Sequence, residues 1–400
     1  MGLIVQKFGG SSVADRECIF RVAERIAERY RAGDRVVAVV SAQGDTTDEL
    51  LQKAREINEK PSKREMDVLL STGEQITISL LAMALEKLGY PVISLTGWQL
   101  PVLTDRNNGK AKIKSVDSQR LLSELDQNKI VIAAGFQGIN SNHDITTIGR
   151  GGSDTSAVAL AAALSAEVCE IYTDVDGVYT ADPRIVEHPV KLRDISYEEM
   201  LELASAGANV LHNRAVEMAQ KYNVNLEVKS SFQHVTGTTV KEVSLLEKMV
   251  IRGVARDNEV ARISTVGIPD EPGRAYKLFH LLAQKNIDVH IILQSIGQNG
   301  TKDISFVVSN ENLEEALSIL CANQAYIGAK EFQYREDVAK VSVVGAGMAS
   351  NPGVASKIFE ALYEEQININ MVSTSEIKVS LIVAEEDSEK AVRAIHGKFF

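Results

Sequence analysis

Five short apolar runs constrain this chain more than any other feature: LIVQK (3–7), VVAVVS (36–41), PVISL (91–95), KIVIAAG (129–135) and EIYTD (170–174). Each is nearly continuous in apolar residues rather than alternating, which is the pattern of a strand buried on both faces. Helical patterns separate them, at 15–31, 47–57, 63–88, 118–125 and 154–164. This alternation predicts an α/β fold with a mostly parallel sheet sandwiched by helices. In such sheets ligands gather outside the carboxyl ends of the strands. The five strands are followed by FGGSS, SAQGDTTD, TGWQ, GFQG and TDVDG, all rich in Gly, Ser, Thr or Asp. Polar loops are common on any protein, but five such exits on one edge read as a single binding face.

Beyond about residue 240 the pattern changes to an internal repeat. Residues 261–295 match 339–375, without a gap from Pro272–Gly273 and Pro352–Gly353 onward, with identities that include Lys277/Lys357, Phe279/Phe359 and Ser295/Ser375. Each copy reads as strand, Pro-Gly, helix, strand, strand, helix, a small βαββαβ module. The first copy has a last strand near Glu331–Arg335; the second runs out of chain before one. MVIRGVARD (249–257) is therefore expected to complete the second sheet. The expected domains are 1–245, 258–335, and 246–257 joined to 336–400. VVGAGMAS (343–350) resembles half of a dinucleotide fingerprint, but Ser350 stands where the third glycine is needed. Gly345 and Gly347 read instead as a strand-to-helix turn.

The chain has 400 residues, too many for one ordinary core, and a net charge of −11 with no basic run. That balance argues against nucleic acid and anionic membrane as partners. The cysteines, Cys18, Cys169 and Cys321, are scattered with no CxxC, so they are expected to be reduced in a cytoplasmic protein. The start lacks a signal-peptide pattern, Gln6 breaks the myristoylation pattern, and the run Ala157–Ala166 is too short to span a bilayer.

There is no GxxxxGK[ST] and no HRD or DFG signature, which excludes P-loop and protein-kinase folds. KFGGSS (7–12) nevertheless has the parts of a phosphate cradle: a lysine ending a strand, two glycines, two hydroxyls and a helix start. Two glycines after a strand also make a plain turn, and the motif alone leaves both readings open. In GRGGSD (149–154), Asp154 sits where a helix N-cap belongs. Arg150 has the wrong sign for a helix N-terminus, so an anionic ligand is expected beside it. In STGEQ (71–75), Gly73 interrupts a helical pattern beside Glu74. A mid-helix glycine costs about 1 kcal/mol against alanine, so a functional break is expected there. Asp174 and Asp176 in TDVDGVYTADPR (173–184) serve either as turn formers or, with Tyr179 and Arg184, as part of a nucleotide site.

As an ordered set these motifs, with VVSAQGDTTDEL (39–50), TTIGRGGSDTSAVALA (146–161), ASAGANVLHNRAVE (204–217) and SEIKVS (375–380), cover nearly the whole chain. In them the sequence resembles the aspartokinases of the amino acid kinase superfamily, which carry two C-terminal ferredoxin-like ACT modules. The resemblance implies transfer of the ATP γ-phosphoryl group to the β-carboxylate of L-aspartate, the first step towards lysine, threonine, methionine and diaminopimelate. An aspartate side chain ionises near pH 4, so the acceptor needs no general base; the task is to bring anions together.

By resemblance, Lys7, Asp154 and Glu74 form the catalytic set, and Lys7, Gly9, Gly10, Ser11, Ser41, Thr173, Asp174, Tyr179 and Arg184 hold ATP with Mg²⁺. Thr47, Glu74, Arg150, Gly151, Gly152 and Ser153 hold aspartate, with Arg150 on a carboxylate and Glu74 on the ammonium. No protein metal ligand is assigned. The ACT pair implies feedback by lysine, threonine or both. Effector candidates are Asp270, Gly273, Ala275 and Gln294 in the first copy and Asn368, Ile369, Ser375 and Glu376 in the second. A homodimer or higher oligomer through the ACT modules is implied, and Met249 could start a separate regulatory subunit, as in some relatives. Ser11, Asn209, Asn213, His290 and QLPVL (99–103) depart from the family pattern. A sibling kinase of the superfamily, or an inactive amino-acid sensor, is the alternative. The SAQGDTTD and STGEQ pair argues against the first, and intact Lys7, Arg150 and Asp154 argue against the second.

Overall fold

The computed structural model describes residues 2–208, 210–242, 250–296, 300–348, 351 and 353–400. Asn209 and Met249 lie outside the described residues. The chain divides into two units. The first comprises Met1–Val178, Lys191–Ala204 and Asn209–Leu245; the second comprises Tyr179–Val190, Ser205–Ala208 and Leu246–Phe400. Two short segments inside the 1–245 span thus belong to the second unit.

The first unit contains strands β1 (Leu3–Phe8), β2 (Arg35–Val40), β3 (Val92–Leu95), β4 (Val102–Thr104), β5 (Ile113–Val116), β6 (Ile130–Ala134), β7 (Gln137–Ile139), β8 (Ile145–Thr147), β9 (Val168–Thr173), β10 (Asp194–Ile195), β11 (Leu226–Ser230) and β12 (Thr238–Val240). Its helices are α1 (Arg16–Arg31), α2 (Thr46–Ile57), α3 (Lys63–Leu70), α4 (Thr72–Lys87), α5 (Gln119–Asp126), α6 (Gly152–Leu164), α7 (Tyr197–Ser205) and α8 (Asn213–Tyr222). The main sheet has the order β10-β12-β11-β9-β1-β2-β6-β3. From β11 to β3 every neighbouring pair is parallel. The five apolar runs are all among these strands. Strand order reverses at β1, which has β2 on one side and β9 on the other. That is where an open α/β sheet leaves a crevice at its carboxyl edge.

Helix α1 starts at Asp15, whose carboxylate accepts from the Cys18 amide at 2.8 Å. It buries Ile19, Val22, Ala23 and Ile26 in a core with Phe8, Val36, Val40 and Ile132. Helix α6 is buried nearly all round, and its small residues Ala157, Ala159 and Ala161 let it pack closely. The helix expected over 63–88 is two helices divided at Ser71. Lys63–Lys87 as a whole is long and apolar enough to cross a membrane by length and composition. It is also interrupted at Ser71 and buries Asp67 and Glu74 among protein groups, which fits a core element. A second, small sheet, β5-β4-β7-β8, was not expected. Its strands are only three or four residues long, too short to show a period.

The second unit contains β13 (Gly253–Asp257), β14 (Val260–Pro269), β15 (Ile291–Ile296), β16 (Thr301–Ser309), β17 (Glu331–Arg335), β18 (Val338–Val344), β19 (Met371–Thr374) and β20 (Lys378–Ala384). Its helices are α9 (Arg274–Ala283), α10 (Leu313–Ala322), α11 (Gln324–Ile327), α12 (Val354–Glu364) and α13 (Ser388–Phe399). The sheets run β15-β16-β14-β17 and β13-β18-β20-β19. β13 lies along β18 in the place that β17 holds along β14. The chain thus begins one sheet, builds the other, and returns to finish the first. Val260, Ile291, Val307, Val338, Met371 and Ile382 form an apolar cluster shared by the two sheets. Ala181 and Val186, from the Tyr179–Val190 segment, are buried in the core of the second sheet.

Candidate active site

Parallel pairing sets the ends of β1, β2, β6 and β9 side by side, and the site grows from the residues just past those ends. Lys7, near the end of β1, points to the α6 side and lies 2.7 Å from Asp154 Oδ1 through Nζ. Both side chains are 12% exposed. The contact is an ion pair bent away from hydrogen-bond geometry, which leaves Oδ1 with no hydrogen-bond partner among the described residues. Asp154 is not the N-cap of α6. Gly151 holds that place in a left-handed conformation (φ 65°), and Asp154 sits in the first turn. The hexad therefore starts the helix with glycine and leaves the carboxylate free to meet Lys7.

The KFGG turn lies tightly against the end of β2. A Cβ on Gly10 would come within 2.8 Å of the Ala42 carbonyl oxygen. The Gly44 amide donates to the Gly10 carbonyl at 3.1 Å, and the Ser41 amide to that of Phe8 at 3.1 Å. A Cβ on Gly9 would lie 3.4 Å from Lys7 Nζ, so the ammonium sits over the glycine turn. Ser11 is exposed. Ser12 is buried and shares a 2.6 Å hydroxyl contact with Ser231 at the end of β11.

Ser41 donates to Ser153 Oγ at 2.9 Å, joining the exit of β2 to the start of α6. Gly135 permits this approach, since a Cβ there would lie 2.8 Å from Ser153. Glu74, in the first turn of α4, is 3% exposed. Its Oε1 accepts from the Ala42 amide at 3.1 Å, and its Oε2 is buried without a partner among the described residues. Burial pushes its pKa up to about 8, against the lowering effect of the amides it accepts from. Gly73 is needed for this approach, because a Cβ there would lie 2.7 Å from Ala42 Cβ. Thr47 is half-buried in the first turn of α2, and Arg150 is exposed at the rim.

Thr173, at the end of β9, donates to Asp174 Oδ1 at 3.0 Å. Tyr179 and Arg184 lie in the second unit, where Arg184 is paired with Asp182. Among the described residues no cluster of three or more His, Cys, Asp or Glu is placed to hold a metal ion. In the second unit, Asp270 is paired with Lys302 at 2.7 Å. Gly273 starts α9 with φ 89°. Gln294 lies on β15, Ala275 and Ile369 pack against the two cores, and the Ser375 amide donates to Lys378 O at 2.8 Å. Asn368 and Glu376 are exposed.

Sequence reasoning missed three residues that shape the hexad. His212 covers Gly151 so closely that a Cβ there would lie 2.1 Å from its Cγ. Burial lowers the His212 pKa, with the Asp154 charge opposing. Arg214 donates to the Ile148 carbonyl at 2.5 Å and to that of Ala111 at 2.9 Å. Both lie in the quoted HNRAVE stretch, so the signal was present but carried no role. Asp67, fully buried on α3, accepts from Thr147, Asn108 and Gly109.

Known proteins match this chain along its whole length. Residues 2–230 match the amino acid kinase family, and residues 263–324 and 341–399 match the ACT domain. The chain is 51% identical over 400 residues to an aspartokinase of Bacillus sp. (strain MGA3), covering 100% of this chain and 97% of that one. Escherichia coli aspartokinase III solved with aspartate and ADP in its R-state superposes with a TM-score of 0.85 at 26% identity, covering all of both chains. The same enzyme with lysine and aspartate in its T-state gives 0.76 at 25% identity, over 100% of this chain and 99% of that one.

Proposed function

The chain belongs to the amino acid kinase family as an aspartokinase, an ATP-dependent kinase acting on L-aspartate, and we propose how its residues divide that work. The reaction moves the γ-phosphoryl group of ATP to the β-carboxylate, giving 4-phospho-L-aspartate and ADP. The observation that carries the assignment of roles is the Lys7–Asp154 pair at the strand-order reversal, beside the glycine turn and the buried Glu74.

Lys7 places a cation over the glycine turn, where the transferring phosphoryl group gains negative charge. Gly9, Gly10 and Ser11 offer amides and a hydroxyl to the phosphates. The lack of a Cβ on Gly10 lets the turn pack against the Ala42 carbonyl, which fixes the cradle at the end of β2. Asp154 holds the Lys7 ammonium in place between turnovers. Ser41, Thr173, Asp174, Tyr179 and Arg184 take the rest of the nucleotide. Mg²⁺ entering with ATP would neutralise phosphate charge. On the acceptor side Arg150 grips a carboxylate, Thr47 and Ser153 offer hydroxyls and Gly151 an amide, while the Gly152 amide donates to the Gly149 carbonyl at 2.9 Å and shapes the turn. Glu74 takes the ammonium: its unpartnered Oε2 is a buried acceptor that a cation would satisfy.

The ACT modules make this a feedback-regulated enzyme, with lysine as effector, alone or with threonine. The lysine-bound T-state of aspartokinase III supports this reading. The effector residues are Asp270, Gly273, Ala275, Gln294, Asn368, Ile369, Ser375 and Glu376. A dimer or higher oligomer through the second unit is supported by the edge strand β15, which exposes Ile292 and Leu293. Use of Met249 as the start of a regulatory subunit, and a cytoplasmic location, complete the proposal. The test is a coupled ADP-release or hydroxamate assay with L-aspartate and ATP, with and without lysine and threonine. Turnover on aspartate that lysine inhibits is the expected result. No turnover would overturn the acceptor assignment, and turnover indifferent to both amino acids would overturn the regulatory half.

A further inference from the structure

We propose that Asp67 is a positioning residue for aspartate binding, acting through Thr147 and Gly109 on the backbone that carries Arg150. The proposal rests on the reading of Arg150 as a ligand of a substrate carboxylate.

Asp67 lies on α3, fully buried. Its Oδ1 accepts from Thr147 Oγ1 at 2.5 Å and from the Gly109 amide at 3.0 Å. Its Oδ2 accepts from Asn108 Nδ2 at 2.7 Å and from the same amide at 3.1 Å. None of these donors belongs to α3, and all are neutral. A helix that needed only to be buried would be served by an apolar residue here, because removing a carboxylate from water is costly unless its oxygens are satisfied. What the carboxylate adds is a tie between two loops distant in sequence.

Both loops lead to the hexad. Thr147 ends β8, two residues before Gly149. Gly109 reaches Gly149 from the other side: a Cβ on Gly149, which has φ 86°, would lie 3.0 Å from the Gly109 carbonyl oxygen. The Ala111 amide donates to the Thr147 carbonyl at 3.0 Å, and Arg214 bridges Ile148 O and Ala111 O. The backbone from Thr147 to Gly149 is thus fixed by Asp67 from α3 and by Arg214 from α8. Arg150 follows immediately and is exposed, so the anchored backbone sets where its guanidinium starts. A displacement of about 1 Å in a substrate-holding group can cost on the order of a hundredfold in rate.

The test is steady-state kinetics of the full-length enzyme with D67A, D67N, T147V and R150A, each checked by thermal melting. D67A is expected to raise the KM for aspartate about tenfold or more, with the KM for ATP within about twofold of wild type. D67N can still accept from Gly109 and donate to a turned Thr147 hydroxyl, so it should recover most of the aspartate affinity. A merely structural role would lower the melting temperature and the active fraction without separating the two KM values. D67A with unchanged aspartate KM, beside an R150A that loses affinity, overturns the clamp alone. R150A with unchanged aspartate KM overturns the aspartate-site reading, and the clamp with it. If D67A does not fold, T147V decides: it removes one donor at similar volume, and an unchanged aspartate KM there overturns the proposal.

Discussion

The ammonium of Lys7 lies 2.7 Å from Oδ1 of Asp154, joining the end of β1 to the first turn of α6. Because both groups are nearly buried, water does little to screen them, and the cation is set in place by the fold before substrate arrives. Lys7→Ala removes the cation that we propose stabilises the transferring phosphoryl group. The expected outcome is a loss of kcat of roughly a thousandfold, comparable to losing one transition-state donor, with both KM values changed far less. Steady-state kinetics measures this. A loss below about tenfold would remove Lys7 from the chemistry.

Glu74 sets a pH dependence whose sign can be worked out. Its folded pKa is raised to about 8 from 4.5 by burial, so the ligand-free protein holds it protonated at neutral pH. The unfolded chain ionises it near 4.5. Unfolding therefore releases a proton across the window from 4.5 to about 8, and the stability Glu74 contributes below that window is lost as pH rises through it. In the proposed role, aspartate binding needs the opposite form of Glu74, because an ammonium favours the carboxylate. The KM for aspartate should fall as pH rises towards 8, and binding should release a proton near pH 7. Glu74→Gln should weaken aspartate binding and flatten both the KM profile and the stability slope. A wild-type KM that is flat from pH 6 to pH 9 would separate Glu74 from the ammonium.

Lys7, Glu74 and Asp154 could be picked out of the sequence because each sits in a short motif where a charge meets glycines at an element boundary. The strands of the main sheet were readable for a similar reason: burial on both faces leaves an unbroken apolar run. The missing last strand of the second repeat pointed to 249–257, where β13 lies along β18. Other features were not readable. Strands β4, β5, β7 and β8 are too short for any period. The Tyr179–Val190 segment belongs to the second unit through Ala181 and Val186, two ordinary apolar residues with no local mark of their destination. His212 and Asp67 act through contacts far away in sequence, which no local pattern encodes.

Gly151 and His212 make a packing prediction. Gly151 has φ 65°, and any Cβ there would collide with the imidazole. Gly151→Ala combines backbone strain of about 1–3 kcal/mol with that clash, and should lower both the melting temperature and the aspartate affinity. His212→Ala removes the clashing ring but not the strain. The double variant should therefore be more stable than the sum of the two single changes predicts, by about 0.5–3 kcal/mol, the range for residues in contact. Additive melting shifts would show that the ring moves aside freely and does not shape the loop.

A last prediction concerns Thr180, which directly follows Tyr179. Thr180 is fully buried in the second unit; its hydroxyl lies 2.9 Å from His396 Nε2 on α13 and accepts from the Val190 amide at 2.9 Å. Its carbonyl accepts from the Val254 amide at 2.8 Å, which ties the segment to β13. Tyr179 is thus fixed at its carboxyl side by groups of the regulatory sheet. His396→Ala removes the side-chain tie while leaving the kinase residues intact. The expected outcome is a loss of about 0.5–1.5 kcal/mol of stability, roughly the worth of one hydrogen bond, read by thermal or denaturant melting. The effect should also have a pH signature. Burial lowers the His396 pKa, so the neutral ring is the folded form, and the stability it gives is present above about pH 6.5 and lost as pH falls below it. In the wild type the melting temperature should fall on acidification through that range, and in His396→Ala it should fall less. Equal melting temperatures in the two proteins at neutral pH would show that the tie to α13 does not hold this segment.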